Sequence, residues 1–353
     1  MTTMVHNGLE GIVAAETRLS MVDGERGELV IGGFRVEELS SWPFERVVSL
    51  LWETAGFTGG DCKAVALPAK LFSLLRDAGD PMDALRMAAG AMTAKYDAEA
   101  AELLVGSFPA IVAAWWRLRN GREPIAPRED LGFAANYLYM LTGNEPHEAF
   151  VRGLETYLNT VVDHGLNAST FAARVIASTG SDFVSAITGA IGALKGPLHG
   201  GAPGPALDMV FEIGEAGRAE EVLRRKIESG ERLMGFGHRV YKVRDPRADV
   251  LAAAAERMFT RAGDMHLYEL ARHVEATALR LLEEHKPGRR LQTNVEFYTA
   301  LLLHGLGLEV PLFTPTFAIG RVAGWTAHCF EQRAAGRIIR PQSVYVGRRP
   351  QVL

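Results

Sequence analysis

Helical periodicity is the feature that most constrains how this chain of 353 residues folds. Between Leu267 and Leu282, apolar residues recur at spacings of three and four, and charged residues occupy the opposite face. This pattern predicts an amphipathic helix, which the Pro-Gly pair at 287–288 ends. The same reasoning predicts further helices at Glu45–Trp52, Met82–Ala94, Pro109–Arg119, Leu131–Leu141, His147–Val162, Ser181–Leu194 and Ala219–Ser229.

Extended structure is predicted only near the N-terminus. There, Met21–Gly24 and Gly27–Ile31 flank turn residues, which predicts a small β-hairpin. No strand–helix–strand pattern repeats, which disfavours a Rossmann-like sheet, and no glycine-rich phosphate-loop motif occurs. We therefore predict an all-α fold with a minor N-terminal β-hairpin. The Gly- and Pro-rich run 196–205 and the segment 311–315 are candidate domain boundaries.

Composition excludes several classes of function. A net charge of −4 gives no basic excess of the kind that nucleic-acid binding requires. Cys62 and Cys329 are too few for a disulfide framework and lack metal-ligand spacing, so we expect two buried thiols in a reducing compartment. The sequence shows neither a signal peptide nor an apolar run long enough to span a membrane. We therefore expect a cytoplasmic protein.

Three short segments each place a histidine among glycines. They read DHGLN around His164, GPLHGG around His199 and GFGHR around His238, and a carboxylate, Glu296, follows in NVEFY. Histidine is the side chain that titrates near neutral pH, and glycine permits a close approach of backbone and substrate. The pattern indicates a site for acid–base chemistry.

Taken singly, each histidine has a simpler interpretation. His164 also fits a satisfied histidine at the C-terminal end of a helix. We expect His199 in the first turn of a helix, where the positive helix end favours a neutral imidazole that donates one N–H. That form suits hydrogen bonding to an enolate oxygen, but the segment taken alone favours an N-terminal surface histidine. The cluster after His238 is either a solvated basic loop or a pocket for carboxylates or phosphates.

Two charged residues stand in apolar surroundings. Arg321 lies in the run FAIGRVAGW, where burial requires an anion as a ligand or an internal salt bridge. Glu296 lies between Val295 and Phe297, a setting that raises the pKa of a carboxyl group into the range of a general base. The alternative for Glu296 is a structural carboxylate paired with an arginine.

These motifs together resemble those of the citrate synthases, especially the shorter bacterial and archaeal type. The resemblance runs from GLEG at 8–11 to RPQSVYVG at 340–347 and includes HGLNAST, GPLHGGA and GFGHRVYK followed by DPR. It implies a large helical domain, 1–202 and 312–353, and a smaller inserted helical domain, 203–311, that closes over the cleft. It also implies condensation of acetyl-CoA with oxaloacetate, followed by hydrolysis of the citryl thioester.

The resemblance implies a role for each matching residue. Glu296 would be the base, His199 the donor to the enolate oxygen and His238 the group that polarises the ketone. The ligands of oxaloacetate or citrate would be His164, Asn167, Arg247, Arg321 and Arg340. Arg340 would reach the site of a partner subunit, which requires a homodimer. The CoA-contacting residues would be Gly235, Phe236, Gly237 and Lys242, and no metal or redox cofactor is implied.

The chain departs from the family pattern at three places. The family usually has Asp where this chain has Glu296, so the carboxylate reaches about 1.5 Å further and activity is expected to be reduced or altered. Asp80 replaces a frequent His, and we interpret it as a helix cap before Pro81. Extra prolines at Pro203 and Pro205 predict a stiffer hinge.

Two other functions fit the same motifs. A 2-methylcitrate synthase would use propionyl-CoA with the same catalytic residues, because one methylene in an acyl pocket changes binding by only about 1–3 kcal/mol. A non-catalytic paralogue that binds CoA or a dicarboxylate is the alternative from a different class, and Glu296 is the feature that favours it.

Overall fold

The computed structural model describes residues 5–9, 11–200, 203–238 and 240–348. Within these ranges the chain forms α-helices and one small sheet, so the predicted all-α fold is confirmed. The helices are α1 Val36–Leu39, α2 Phe44–Thr54, α3 Leu71–Asp77, α4 Pro81–Gly90, α5 Asp97–Arg119, α6 Phe133–Thr142, α7 Glu148–Val161, α8 Ala168–Ser178, α9 Phe183–Lys195, α10 Pro203–Ile213, α11 Ala219–Glu228, α12 Pro246–Ala262, α13 His266–His285, α14 Val295–Gly305 and α15 Phe313–Ala335.

The predicted hairpin is present within a sheet of three antiparallel strands. Strands β1 Ser20–Asp23 and β2 Glu28–Ile31 pair with Met21 opposite Val30, and β2 pairs with β3 Phe34–Arg35. The third strand has only two residues, too few for an alternating pattern to show in the sequence.

All eight predicted helices are present, and most of their bounds agree within three residues, but α4 ends at Gly90 instead of Ala94 and one helix start is far from its predicted place. The helix expected at Pro109–Arg119 begins twelve residues earlier, at Asp97, and contains Pro109 in its interior. Most of helix α5 is buried, so its apolar residues surround it and give no amphipathic period. Proline lacks the N–H that a helix interior needs, which is why the sequence suggested a start at Pro109.

Helix α5 is also long and apolar enough to cross a membrane, but 78% of its most apolar window is buried inside the structure. This burial is typical of a core helix in a globular protein. The cytoplasmic location stays a prediction.

The expected cap at Asp80 is confirmed. The Oδ1 atom of Asp80 accepts hydrogen bonds from the backbone N–H groups of Met82 (2.9 Å) and Asp83 (3.1 Å), and Pro81 occupies the first turn of α4. Cys62 and Cys329 are both buried free thiols, as expected.

Helix α15 crosses the end of α7 at very close range, and this contact places the site. A Cβ atom at Gly324 would lie 2.2 Å from the carbonyl oxygen of Val162, and one at Gly320 would lie 3.1 Å from that of Leu158. Because glycine has no Cβ, the two backbones approach each other and Arg321 lies beside the segment that follows α7.

Candidate active site

A cavity of about 760 Å³ brings together most of the predicted site residues. Its walls come from the segments after α7 and α9, the segment before α12, the start of α14 and the buried helix α15. The predicted residues that line it are His164, Asn167, His199, Gly237, His238, Arg247, Glu296 and Arg321. Residues from distant parts of the sequence thus form one site.

His164 is held beside a second histidine. Its Nε2 atom lies 3.2 Å from the hydroxyl oxygen of Tyr241, and its ring centroid is 5.9 Å from that of His238. Burial, together with Arg247 and Arg321, holds the pKa of His164 well below its usual value. The ring is therefore neutral at physiological pH.

His199 lies in a turn between α9 and α10, not in the first turn of a helix as predicted. Its backbone N–H donates to the carbonyl oxygen of Gly196 (2.9 Å), and α10 begins only at Pro203. The predicted neutral state still holds, but for a different reason. Burial, with a smaller contribution from the charge of Arg321, lowers the pKa of His199 to about 4.

Ser169 is a polar contact of His199 that sequence reasoning missed as a site residue. Its hydroxyl oxygen lies 2.8 Å from Nε2 of His199 and accepts a hydrogen bond from the indole N–H of Trp325 (3.1 Å). The hydroxyl proton has two acceptors in reach, because Oδ1 of Asn167 is also 2.8 Å away. Ser169 is thus placed to set the tautomer of His199.

The polar atoms of Asn167 are used inside the chain. Its Oδ1 accepts from the N–H of Thr170 (3.1 Å), which caps α8, and its Nδ2 donates to the Thr170 hydroxyl (2.9 Å) and to the carbonyl oxygen of Gly165 (3.2 Å). If the Ser169 hydroxyl donates to Oδ1, the hydrogen-bonding capacity of Asn167 is filled; if it donates to His199, one acceptor site on Oδ1 stays open. In either case both N–H groups of the amide are used, so donation from Asn167 to a substrate carboxylate would require one of these bonds to break.

His238 presents one nitrogen to the cavity. Two backbone N–H groups, of Val240 (3.0 Å) and Tyr241 (3.1 Å), donate to its Nδ1 atom. The neutral ring therefore carries its proton on Nε2, which lies 3.4 Å from a terminal nitrogen of Arg247. Burial and the neighbouring Arg247 lower the pKa of His238 to about 4.

The two cavity arginines differ in their internal partners. Arg247 forms a two-point ion pair with the buried Asp245, through Nε–Oδ1 (3.0 Å) and Nη2–Oδ2 (2.8 Å). Arg321 donates its Nε–H to the carbonyl oxygen of Val161 (2.6 Å), and among the described residues no carboxylate oxygen lies within 4 Å of it. Burial lowers the pKa of Arg321 to about 10. Of the two alternatives for Arg321, this geometry favours an anionic ligand.

A buried polar chain lies behind Arg321. Burial lowers the pKa of Arg321, and the charge of Asp163 partly opposes that fall. Asp163 also accepts a hydrogen bond from the hydroxyl of Ser20 (2.5 Å), and its carboxylate lies 3.1 Å from Nε2 of His328. Because a guanidinium only donates, the contact from Arg174 to Nδ1 of His328 (3.0 Å) leaves the His328 proton on Nε2, facing Asp163. The sequence did not predict this set of hydrogen-bonded side chains, which joins α8, α15 and the segment after α7.

Glu296 is the second residue of helix α14, whose cap is Asn294. Burial raises the pKa of its carboxyl group, and the charges of Arg232 and Arg247 partly oppose that rise. Among the described residues it has no ion pair within 4 Å, which favours a base over a structural carboxylate. Arg232 lines the same cavity and is a second site residue that the sequence did not single out, because an arginine among charged residues has no distinguishing pattern.

The segment predicted to contact CoA forms one edge of the cavity. Gly235 and Phe236 face the interior: the Phe236 ring packs on that of Phe297, and a Cβ at Gly235 would lie 2.9 Å from the Cβ of Phe297. Gly237 lines the cavity, and Lys242 is exposed, with its backbone N–H bound to the carbonyl oxygen of Gly24 (2.8 Å).

Arg340 does not line the cavity that holds the other predicted ligands. It is exposed on the segment after α15 and lines a second cavity of about 1140 Å³, with Arg174, Glu331 and Arg337. Apolar side chains on the same segment are also exposed, including Tyr345 (70%) and Val346 (92%).

Comparisons with known proteins match nearly the whole chain. The family model "Citrate synthase, C-terminal domain" matches residues 8–342. A citrate synthase from Haloferax volcanii is 38% identical over 98% of this chain and 97% of its own length. A 2-methylcitrate synthase from Mycobacterium tuberculosis is also 38% identical, over 99% of this chain and 92% of its own.

Solved structures of relatives share the fold. The citrate synthase of Pyrobaculum aerophilum has a TM-score of 0.88 at 35% identity and covers 99% of this chain and 93% of its own. The citrate synthase of Thermoplasma acidophilum, described as a ternary complex with carboxymethyl coenzyme A and oxaloacetate, also has a TM-score of 0.88, at 29% identity, over 100% of this chain and 98% of its own. Sequence, fold and the convergence of three histidines on one cavity agree, and the chain belongs to the citrate synthase family.

Proposed function

We propose that this chain condenses acetyl-CoA with oxaloacetate and hydrolyses the citryl-CoA intermediate to citrate and CoA. The observation that carries the proposal is the convergence of a desolvated carboxylate, three neutral histidines and two buried arginines on one cavity. The reaction needs a base for the weakly acidic methyl group, a donor for the enolate oxygen and a group that polarises the ketone. The cavity supplies a candidate for each, and the CoA thioester is a substrate, so no further cofactor is needed.

Glu296 acts as the base and His199 as the donor to the enolate oxygen. Burial keeps the carboxylate poorly solvated, which strengthens it as a base. For His199 to donate from Nδ1, the hydroxyl of Ser169 must donate to Nε2, and the 2.8 Å contact allows this. A neutral imidazole avoids adding a cation beside Arg321.

His238 and the arginines bind and polarise oxaloacetate. The Nε2–H of His238 and a terminal N–H of Arg247 lie side by side, so both can donate to the ketone or to an adjacent carboxylate. Arg321 meets a second carboxylate, and His164 completes the set beside Tyr241. Two carboxylates opposite two arginines offset the cost of keeping those cations buried.

We propose that residues 203–311 form a smaller domain that closes over the cleft. The cavity walls support this, because His164, His199 and Arg321 come from the larger part of the chain, whereas His238, Arg247 and Glu296 come from residues 203–311. Closure would exclude water before condensation. The boundary lies in the run 196–205, of which residues 201–202 are outside the described residues, so the predicted stiff hinge stays a prediction.

We also propose a homodimer in which Arg340 enters the partner's site. Its position outside the first cavity and the exposed apolar side chains around it support this role. An apolar segment of this kind gains stability when a second subunit covers it.

Steady-state release of the CoA thiol, measured with oxaloacetate and either acetyl-CoA or propionyl-CoA, tests the proposal. We expect the higher kcat/KM with acetyl-CoA. A higher value with propionyl-CoA would assign 2-methylcitrate synthesis, which the relative from Mycobacterium tuberculosis keeps as the second candidate. Ligand binding without any oxaloacetate-dependent thiol release would indicate a non-catalytic paralogue.

A further inference from the structure

Glu275, on helix α13, does not line the cavity, yet it connects two of the segments that do. Its side chain is only 5% exposed. One carboxylate oxygen accepts from the Tyr298 hydroxyl (2.5 Å) and from Arg272 (3.3 Å), and the other accepts from Arg244 (2.7 Å). A single buried carboxylate thus holds three donors from different parts of the chain.

Two of these donors lie next to the proposed catalytic groups. Tyr298 follows Glu296 by two residues on helix α14, so their side chains project about 200° apart around the helix axis. Glu296 faces the cavity while Tyr298 is buried on the opposite side. The bond from Tyr298 to Glu275 therefore fixes the rotation of α14, and with it the direction of the base.

Arg244 makes the second connection. It lies in the segment between His238 and Arg247, and besides Glu275 it binds Asp249 of helix α12 (2.5 Å). The Glu275 carboxylate thereby ties the segment that carries His238 to the helix that carries Glu296. Charge-assisted bonds of this kind are short, strong and directional.

We propose that Glu275 and Tyr298 are positioning residues that set the distance between the base Glu296 and the ketone-polarising His238. This inference rests on the proposed function, which gives those two groups their roles. The enolate carbon and the ketone carbon must meet within the cavity, and a misplacement of about 1 Å costs on the order of 100-fold in rate. The pair acts through other residues and does not touch substrate.

The test compares Tyr298→Phe and Glu275→Gln with the wild-type chain in the thiol-release assay. We expect kcat to fall by about 10- to 100-fold, while the KM for oxaloacetate changes less than about threefold, because binding by Arg321 and Arg247 is retained. Tyr298→Phe removes one hydroxyl and leaves both arginines paired, so it supplies the answer if Glu275→Gln does not fold.

Glu220→Gln is the matched control. Glu220 also binds two arginines, Arg224 (2.8 Å) and Arg280 (2.7 Å), and Arg280 lies on the same helix as Glu275. Glu220 lies on α11, and its pairs are half-exposed and away from the cavity. We expect this variant to keep the wild-type kcat. Equal kcat values for all three variants would overturn the positioning role.

Hydrogen–deuterium exchange separates this inference from the proposed function, because it needs no turnover. On the ligand-free chain, we expect Tyr298→Phe to increase amide exchange in residues 294–298 and 240–245, and Glu220→Gln to leave both segments unchanged. A wild-type chain without activity would overturn the proposed function, and exchange would then decide the connection alone. Unchanged exchange in Tyr298→Phe would overturn the connection.

Discussion

Glu296, the proposed base, would combine function with a cost in stability. Its carboxyl group is buried, which raises its pKa, and the neighbouring arginines only partly offset this effect. A raised pKa in the folded state means that ionisation opposes folding. The penalty is absent below the ordinary pKa of glutamate and develops as pH rises through the raised value.

Glu296→Gln is therefore expected to separate activity from stability. Loss of the base should lower kcat by about 100- to 10,000-fold. At pH 8 the variant should be at least as stable to heat as the wild-type chain, and this difference should shrink towards pH 4. Thiol release and thermal unfolding across that pH range measure both effects. Glu212→Gln, at an exposed ion pair on α10, is the control for a generic loss of charge.

Wild-type kcat should fall at acidic pH as Glu296 takes up a proton. A general base acts only when ionised, and the pKa of Glu296, the proposed base, lies above the ordinary value for glutamate. We expect the acidic limb of the kcat profile to disappear in Glu296→Gln, together with most of the rate. An acidic limb that persists unchanged in the residual activity would assign it to another group.

Ser169→Ala tests the tautomer of His199. The variant lacks the hydroxyl that lies 2.8 Å from Nε2 of His199 and that would keep the ring proton on Nδ1. We therefore expect kcat to fall at least about tenfold. Complete loss of an oxyanion donor costs more, roughly 100- to 1000-fold. The indole N–H of Trp325 also loses its acceptor, which should destabilise the fold by about 1–3 kcal/mol. Ser185→Ala, at the exposed cap of α9, is the control, and wild-type kcat in Ser169→Ala would contradict this role.

At the scale of the elements, helix α15 shapes the site through its glycines. Gly324 lets α15 approach the carbonyl oxygen of Val162 and the carboxylate of Asp163, and Arg321 lies one turn earlier. An added Cβ would contact backbone, which cannot rotate away as a flexible side chain can. The position of Arg321 therefore depends on this crossing.

Gly324→Ala should push α15 away from the segment after α7. We expect a loss of about 1–3 kcal/mol in the free energy of unfolding, together with a higher KM for oxaloacetate as Arg321 moves. Gly192→Ala is the matched control, because a Cβ there meets nothing within 4 Å and alanine favours a helix by about 1 kcal/mol. Urea denaturation and steady-state kinetics give the two values. Equal effects of the two substitutions would contradict the close crossing.

At the scale of the whole molecule, the proposed dimer makes a distinct prediction. Arg340→Ala and Arg321→Ala should each abolish most activity as homodimers. In a heterodimer of the two, one site combines the intact Arg321 of one subunit with the intact Arg340 of the other. We expect about half the wild-type activity per dimer from tagged, co-purified heterodimers. An inactive heterodimer would show that Arg340 acts within its own subunit.

The sequence by itself determined the fold class and most of the site. Amphipathic spacing identified eight of the fifteen helices in the described residues, and the glycine-flanked histidines with Glu296 indicated a site, because both signals are local. The reaction itself was implied by the resemblance to the citrate synthases. Only the tertiary structure decided the extent of α5, the turn that holds His199, and the contacts of Ser169, Arg232 and Glu275. Those depend on burial and on contacts between residues far apart in the chain, which no local pattern records.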